Sequence, residues 1–172
     1  MSRQSYITEE MQAALGSVVS TSVSFPVDRS DIRRWAIAVY HPEPPPRQFW
    51  DEDHAATTPH GGIVAPEEFN PFAWAVADPP GKLTGFRAGA PSVEAKLGLA
   101  EVPTQFMLNG GSVIDYGVPI RPGDTIRSTT TLTGYEEREG RHGLMLFTKT
   151  TDDWENQAGE AVKSTTTTII RY

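Results

Sequence analysis

Between residues 43 and 60 the chain collects Glu43, Asp51, Asp53, His54 and His60. Asp51 stands three residues before His54, so on a helical turn the two side chains share a face. A carboxylate beside an imidazole can orient and deprotonate a water molecule. The same pair on a surface turn is merely solvated, and both readings stand at this point. These acids and histidines are numerous enough to suggest a metal site, but their spacing matches no familiar ligand set, and no metal is expected. Asn109-Gly110-Gly111 has two readings as well. Paired glycines let a backbone approach a ligand or partner closely, with Asn109 able to donate and accept; inside a strand the same pair makes a bulge that bends the sheet. Arg121, Arg87 and Lys96 are basic residues on looped segments, able to meet an anion or simply solvated. The sequence contains no cysteine. That removes disulfides, a thiol nucleophile and thiolate-bound metal.

The elements that must position these residues are clearest in the C-terminal third. Ile114, Tyr116, Val118 and Ile120 share one face, and Val113, Asp115, Gly117 and Pro119 the other, the period of a half-buried strand. Arg121-Pro122-Gly123-Asp124 is turn chemistry, with Pro setting φ and Gly free to take φ > 0. Residues 125–133, 143–151 and 160–171 are rich in β-branched side chains, with breaks at 134–140 and 152–159. The expectation is a four-stranded antiparallel meander.

Upstream, residues 8–15 suit a short helix opened by Thr8 and stopped at Gly16. Residues 18–27 alternate loosely as a first strand. Asp28 suits an N-cap, and Ile32, Trp35, Ala36 and Val39 recur at helical spacing, which predicts a helix over 29–40. His41-Pro42-Glu43-Pro44-Pro45-Pro46 ends it. Residues 48–56 suit one helical turn. A second helix is expected to start either with Pro66 at its first position or with Asn70 as cap and Pro71 following. Phe69, Phe72, Ala73 and Val76 would be its apolar stripe, and this is the helix expected at the centre of the sheet. Residues 78–104 show no period and read as a looped insertion lining a ligand channel.

The chain has 172 residues and a net charge of −7. One domain with a sizeable core fits that length, here residues 18–172 behind an N-terminal extension 1–17. The acidic balance argues against nucleic acid or an anionic membrane as partner. No run approaches ~20 apolar residues and the start has no apolar leader segment, so a soluble, cytoplasmic protein is expected.

The run Pro119-Ile120-Arg121-Pro122-Gly123-Asp124-Thr125-Ile126 after a strand resembles the MaoC-like (R)-specific enoyl-CoA hydratase/dehydratase family. Asn109-Gly110-Gly111, the turn Asn156-Gln157-Ala158-Gly159-Glu160 and the segment Gly61-Gly62-Ile63-Val64-Ala65-Pro66-Glu67-Glu68-Phe69 are similar to its N-terminal-half, FAS1-like dehydratase domains. The resemblance implies an α+β hot-dog fold, a curved antiparallel β-sheet wrapped around a central α-helix, paired as a double hot dog. It also implies the hydration or dehydration of an enoyl thioester carried by CoA or acyl carrier protein, with no cofactor besides that substrate.

Such chemistry needs an Asp and a His to activate water, and a backbone N–H at a helix start to hold the thioester oxygen as it gains charge. This sequence departs from that pattern. Anchored on Asp51 and Ala55, Phe49 stands where the family has its His and Pro46 where it has Asn. Pro66 near the oxyanion position has no N–H to give. No catalytic residue is carried over by resemblance; Asp51, His54 and His60 are the candidates to replace the dyad. Substrate binding is expected of Gly61, Gly62, Phe72, Trp74, Phe86, Asn109, Gly110, Gly111 and Arg121. The acyl channel is expected beside Phe72 and Trp74, and the CoA head near Arg121 and Asn109. The implied role is one half of a two-part enzyme: an acyl-CoA channel completed for a homologous subunit that carries the Asp/His dyad, or a homodimer. A bulky steroid-derived or polyketide-like acyl group suits the long insertion. The alternatives are a thioesterase using Glu67 or Glu68 as base or nucleophile, and an acyl-CoA-binding scaffold without catalysis.

Overall fold

A computed structural model describes residues 5–73, 91–141 and 143–172. Helix α1, Glu9–Ala13, is capped by Thr8, whose hydroxyl accepts from the Met11 N–H, and Gly16 ends it at φ +84°. Gly16 then donates to the Leu132 carbonyl at 2.8 Å, tying this segment to the sheet. Strand β1 is Val18–Val23, shorter than the 18–27 expected. Its continuation leaves the ladder because Val27 binds the Arg121–Asp124 turn instead, donating to the Asp124 carbonyl and accepting from Gly123, both at 2.8 Å. Helix α2, Arg29–Tyr40, has the bounds read from its period. The Asp28 carboxylate accepts from the Ser30 N–H at 2.7 Å, and Ile32 and Ala36 are fully buried. A 3-10 turn, Arg47–Phe49, and helix α3, Glu52–Ala56, follow.

Pro66 does not open a helix. The chain there makes a turn closed by the Phe69 N–H on the Pro66 carbonyl. The Asn70 start fits better: its side chain accepts from the Phe72 N–H at 3.0 Å, an N-cap contact. Residues 74–90, including Trp74, Val76 and Phe86, lie outside the described residues, and with them the rest of the expected central helix. The later part of the insertion is not structureless. Ser92 caps a short helix α4, Val93–Lys96, whose one buried residue is Glu94.

The sheet holds β2 (Met107–Tyr116), β3 (Arg127–Gly140), β4 (Gly143–Glu155) and β5 (Ala161–Arg171) in the antiparallel order β1-β3-β4-β5-β2. This corrects the expected meander. Strand β2 crosses over to pair with β5, because the Arg121–Asp124 turn carries the chain to the far side, where β3 meets β1. The break expected at 134–140 is also absent. Gly134 marks a register shift inside a longer hairpin that closes at Gly140 opposite Gly143.

Strand β2 differs most from expectation. Period-2 alternation suggested a half-buried strand, yet all ten of its residues are exposed. It is one of the sheet's two edges, β1 being the other, and apolar side chains on both of its faces, including Leu108, Val113 and Ile114, meet solvent. The core lies between the other strands and the helical layer. Ile126, Trp154 and Val162 pack with Ile32, Ala36, Phe49, Val64 and Phe69. Among the described residues no helix is long and apolar enough to cross a membrane.

Candidate active-site cavity

The Arg121–Asp124 turn is a hydrogen-bonded corner. Asp124, buried, accepts from the Arg121 N–H at 2.7 Å and from the Gln157 side chain at 3.0 Å. Gln157 in turn accepts from the Thr125 N–H at 2.8 Å, which locks the β4–β5 turn to the start of β3. From this corner Arg121 reaches across to donate to the His60 carbonyl at 2.8 Å, while Gly62 lies against its guanidinium. The Ala65 N–H donates to the Ile120 carbonyl at 2.8 Å. The segment from His60 to Pro66 is thus strapped to the chain that leaves β2.

Between that segment, the C-terminal end of α2, the 3-10 turn and the sheet lies a cavity of about 480 Å³. Val39, Phe49, Val64, Ala65, Val118, Ile120, Trp154 and Val162 make its walls apolar. Tyr40, Gln48, His60, Glu67, Glu68, Tyr116 and Lys163 are its polar groups among the described residues. The Tyr116 hydroxyl donates to the Glu68 carboxylate. Lys163 lies over the Trp154 ring, its ammonium 4.0 Å from the centroid. The same ring takes the edge of Phe72 at 5.2 Å, and its N–H donates to Asp152 at 2.7 Å.

The buried Phe49 forms part of the cavity wall. Pro66 has no N–H to aim inward, and the Ala65 N–H is already spent on Ile120. Asp51 and His54 share a turn as the spacing suggested, but neither lines the cavity. Asp51 is the N-cap of α3. One carboxylate oxygen accepts the His54 backbone N–H at 3.0 Å, and the other takes the Arg47 guanidinium at 2.6 and 2.9 Å. Those bonds, the backbone one first, hold its carboxyl below the usual range.

Of the expected binding residues, Gly61, Gly62 and Arg121 gather beside His60 and Phe72 abuts Trp154, but none of the four lines the cavity. Asn109, Gly110 and Gly111 do not line the cavity. They form a bulge in β2: register shifts between Asn109 and Ser112, Gly111 sits at φ +108°, and the Asn109 side chain accepts the Gly111 N–H at 2.8 Å. A side chain at Gly110 would crowd Ile170 and Thr168 at 3.0 and 3.1 Å. Trp74 and Phe86 lie outside the described residues. Among the described residues no three metal-ligating side chains converge.

Sequence reasoning missed Tyr116 and Lys163. They face one another across β2 and β5, and Lys163 faces Trp154 across β4. Alternation in 161–171 could have set Lys163 on the same face as Thr165 and Thr167. The irregularity between Trp154 and Glu155 concealed which face that is. It also missed a buried ion pair at the other end of the sheet. Glu94 of α4, 0% exposed, receives the Arg171 guanidinium at 2.6 and 2.8 Å and the Tyr135 hydroxyl at 2.9 Å. Burial, the largest influence, pushes the Glu94 carboxyl up, but the hydrogen bonds and charge of Arg171, the backbone hydrogen bond and the Tyr135 hydroxyl together leave the group below its ordinary value. Burial and the bond to Glu94 push Tyr135 up.

The family described as "FAS1-like, dehydratase domain region" matches residues 13–165. No curated protein sequence matches the chain. Among solved structures, the fold is similar to a MaoC-like dehydratase from Rhodospirillum rubrum, at 20% identity and TM-score 0.57 over 92% of each chain. It is also similar to a chain of the ChsH1-ChsH2 complex from Mycobacterium tuberculosis, at 16% identity and TM-score 0.65 over 95% of this chain and 87% of that one. A third likeness is to the C-terminally truncated HadBC (3R-hydroxyacyl-ACP dehydratase) complex from the same organism, at 19% identity and TM-score 0.54 over 91% and 99%. At these identities the likeness establishes the hot-dog fold.

Proposed function

Because this chain belongs to the FAS1-like dehydratase domain family of MaoC-like hot-dog proteins, we propose that it is the half of an enoyl-thioester hydratase or dehydratase that lacks the Asp/His dyad. Its role is to complete the acyl-CoA or acyl-carrier channel of a homologous hot-dog subunit. The observation that carries this reading is the edge strand β2, exposed along all ten residues. An open edge with apolar side chains on both faces is an association surface unless another chain covers it. A second hot dog adding its own edge strand would continue the sheet and cover both faces. Tyr116 ends this edge and lines the cavity, so a partner docked on β2 would also border the cavity mouth. Two of the similar folds come from complexes of paired names, ChsH1-ChsH2 and HadBC, which agrees with a two-chain enzyme. The residues at the expected dyad and oxyanion positions, Phe49 and Pro66, offer no acid, base or N–H donor. The partner would supply those, and this chain the apolar walls.

The test is coexpression with a homologous hot-dog subunit bearing an intact Asp…Asn-Pro…His loop. Copurification with enoyl-CoA hydration by the pair supports the reading. A partner that hydrates enoyl-CoA equally well without this chain refutes it. A thioesterase reading has one observation in its favour: Glu67 and Glu68 line the cavity, and Glu68 is held by Tyr116. It requires free thiol to be released from acyl-CoA by this chain and that release to be lost in Glu68→Gln.

A further inference from the structure

Lys163 is placed oddly for a strand lysine. On β5 it lines a cavity whose walls are mostly apolar, and it is half-buried. Its ammonium rests over the face of Trp154. That ring cannot readily turn away, being held by the edge of Phe72, by the hydrogen bond to Asp152 and by its own near-complete burial. Among the described residues no carboxylate lies within ion-pair distance of Lys163. A cation fixed over an aromatic ring and left without a counter-ion in a cleft is preorganised for an anion supplied by the ligand. The cavity's other charged side chains are Glu67 and Glu68. These carboxylates disfavour an anion, which leaves Lys163 as the cationic side chain of the cavity able to hold one.

We propose that Lys163 is a specificity-determining residue of this cavity and binds an anionic oxygen group on the thioester ligand, a carboxylate or a phosphate. The proposal rests on the preceding reading of the cavity as a thioester site. Two parts of such a ligand carry that chemistry: a carboxylate on the acyl chain, as in the half-thioester of a dicarboxylic acid, and the phosphates of the CoA carrier. An ammonium does not distinguish them, but the ligand can be built to do so.

The experiment measures calorimetric binding to the full chain of four probes: butyryl-CoA, glutaryl-CoA and the N-acetylcysteamine thioesters of the same two acids, which lack phosphate. Each is compared between wild type, Lys163→Met and Lys163→Arg. A charge-assisted contact is worth about tenfold in affinity or more. Lys163→Met is expected to lose that factor for anionic probes, Lys163→Arg to keep most of it, and butyryl-N-acetylcysteamine to bind all three proteins alike. If the acyl carboxylate is the anion, wild type prefers the glutaryl over the butyryl N-acetylcysteamine ester and Lys163→Met abolishes the preference. If the carrier phosphate is the anion, the loss appears with both CoA esters and with neither phosphate-free ester. Equal affinity of wild type and Lys163→Met for all four probes overturns the proposal and leaves the thioester site standing. So does a uniform loss that includes butyryl-N-acetylcysteamine, which marks a packing role for the lysine stem. No binding of any probe by wild type, alone or copurified with its partner subunit, overturns the thioester reading of the cavity together with the proposal.

Discussion

Removing one partner of the Glu94–Arg171 pair should cost more than any surface change in this protein. Glu94 is 0% exposed and Arg171 8% exposed, joined by two charge-assisted bonds of 2.6 and 2.8 Å. Tyr135 and Thr148 take further bonds to the same groups, at 2.9 and 2.7 Å. Arg171→Met leaves a buried carboxylate with the Tyr135 hydroxyl and a backbone N–H but no cation, and breaking such a pair costs about 3–5 kcal/mol. With an unfolding entropy of roughly 2.1 cal/mol/K per residue, a chain of this length loses about 8–14 °C of melting temperature for that cost. Glu94→Gln keeps the shape and one hydrogen-bond acceptor but strands the guanidinium, and should lose a similar amount. The double variant Glu94→Gln/Arg171→Met should lose clearly less than the sum of the two, since neither charge is left alone. Thermal unfolding followed by circular dichroism at pH 7 reads all three. Single-variant losses under about 1 kcal/mol, typical of exposed pairs, would refute the reasoning that this is a buried, mutually dependent ion pair.

The pH dependence follows from the same pair. The Glu94 carboxyl is held below its ordinary value in the folded chain, so its contribution is present above the unfolded carboxylate pKa, about 4.3, and fades as pH falls through the folded value. Glu94→Gln should flatten the acid limb of the stability curve, measured by urea unfolding at stepped pH. Gly117→Ala would drive a Cβ into the Ala161 carbonyl oxygen, so the backbone must shift, and roughly 2–3 kcal/mol of stability should be lost in the same denaturation assay. Sedimentation should find the chain associated at micromolar concentration, and Val113→Asp on the exposed edge should shift it to monomer; a strictly monomeric wild type contradicts the edge reading. Asp51→Ala should cost about 1 kcal/mol through the lost α3 cap and leave thioester affinity unchanged, as expected of a residue outside the cavity.

Elements governed by local chemistry were legible in the sequence. Helix α2 is delimited by Asp28 and the proline run, and its buried Ile32 and Ala36 lie one turn apart. The Asn109–Gly111 bulge follows from two glycines in a strand, and the Arg121–Asp124 turn from its own residues. Features set by long-range pairing were not. Alternation in 113–120 is the same whether β2 joins β3 or β5, and it does not say whether the apolar face has a cover. Period alone cannot reveal that β2 is an edge. Glu94 was illegible for a related reason. A glutamate in a Gly- and Pro-rich segment reads as solvated, and its partner Arg171 lies 77 residues away. Among the candidate site residues, Gly61, Gly62 and Arg121 were singled out because a strand turn and a glycine pair are local signals, but none of the three lines the cavity. Lys163 and Tyr116 required the strand register across three strands, which no local pattern carries.

The measurement that bears most directly on the central claim is turnover of crotonyl-CoA and longer enoyl-CoAs by the isolated chain, followed as loss of the enoyl absorbance. With Phe49 in the cavity wall and Pro66 at the turn, the account predicts a rate at the uncatalysed background, whatever the concentration of chain. Robust hydration by the chain alone, saturable in substrate and proportional to protein, would contradict it.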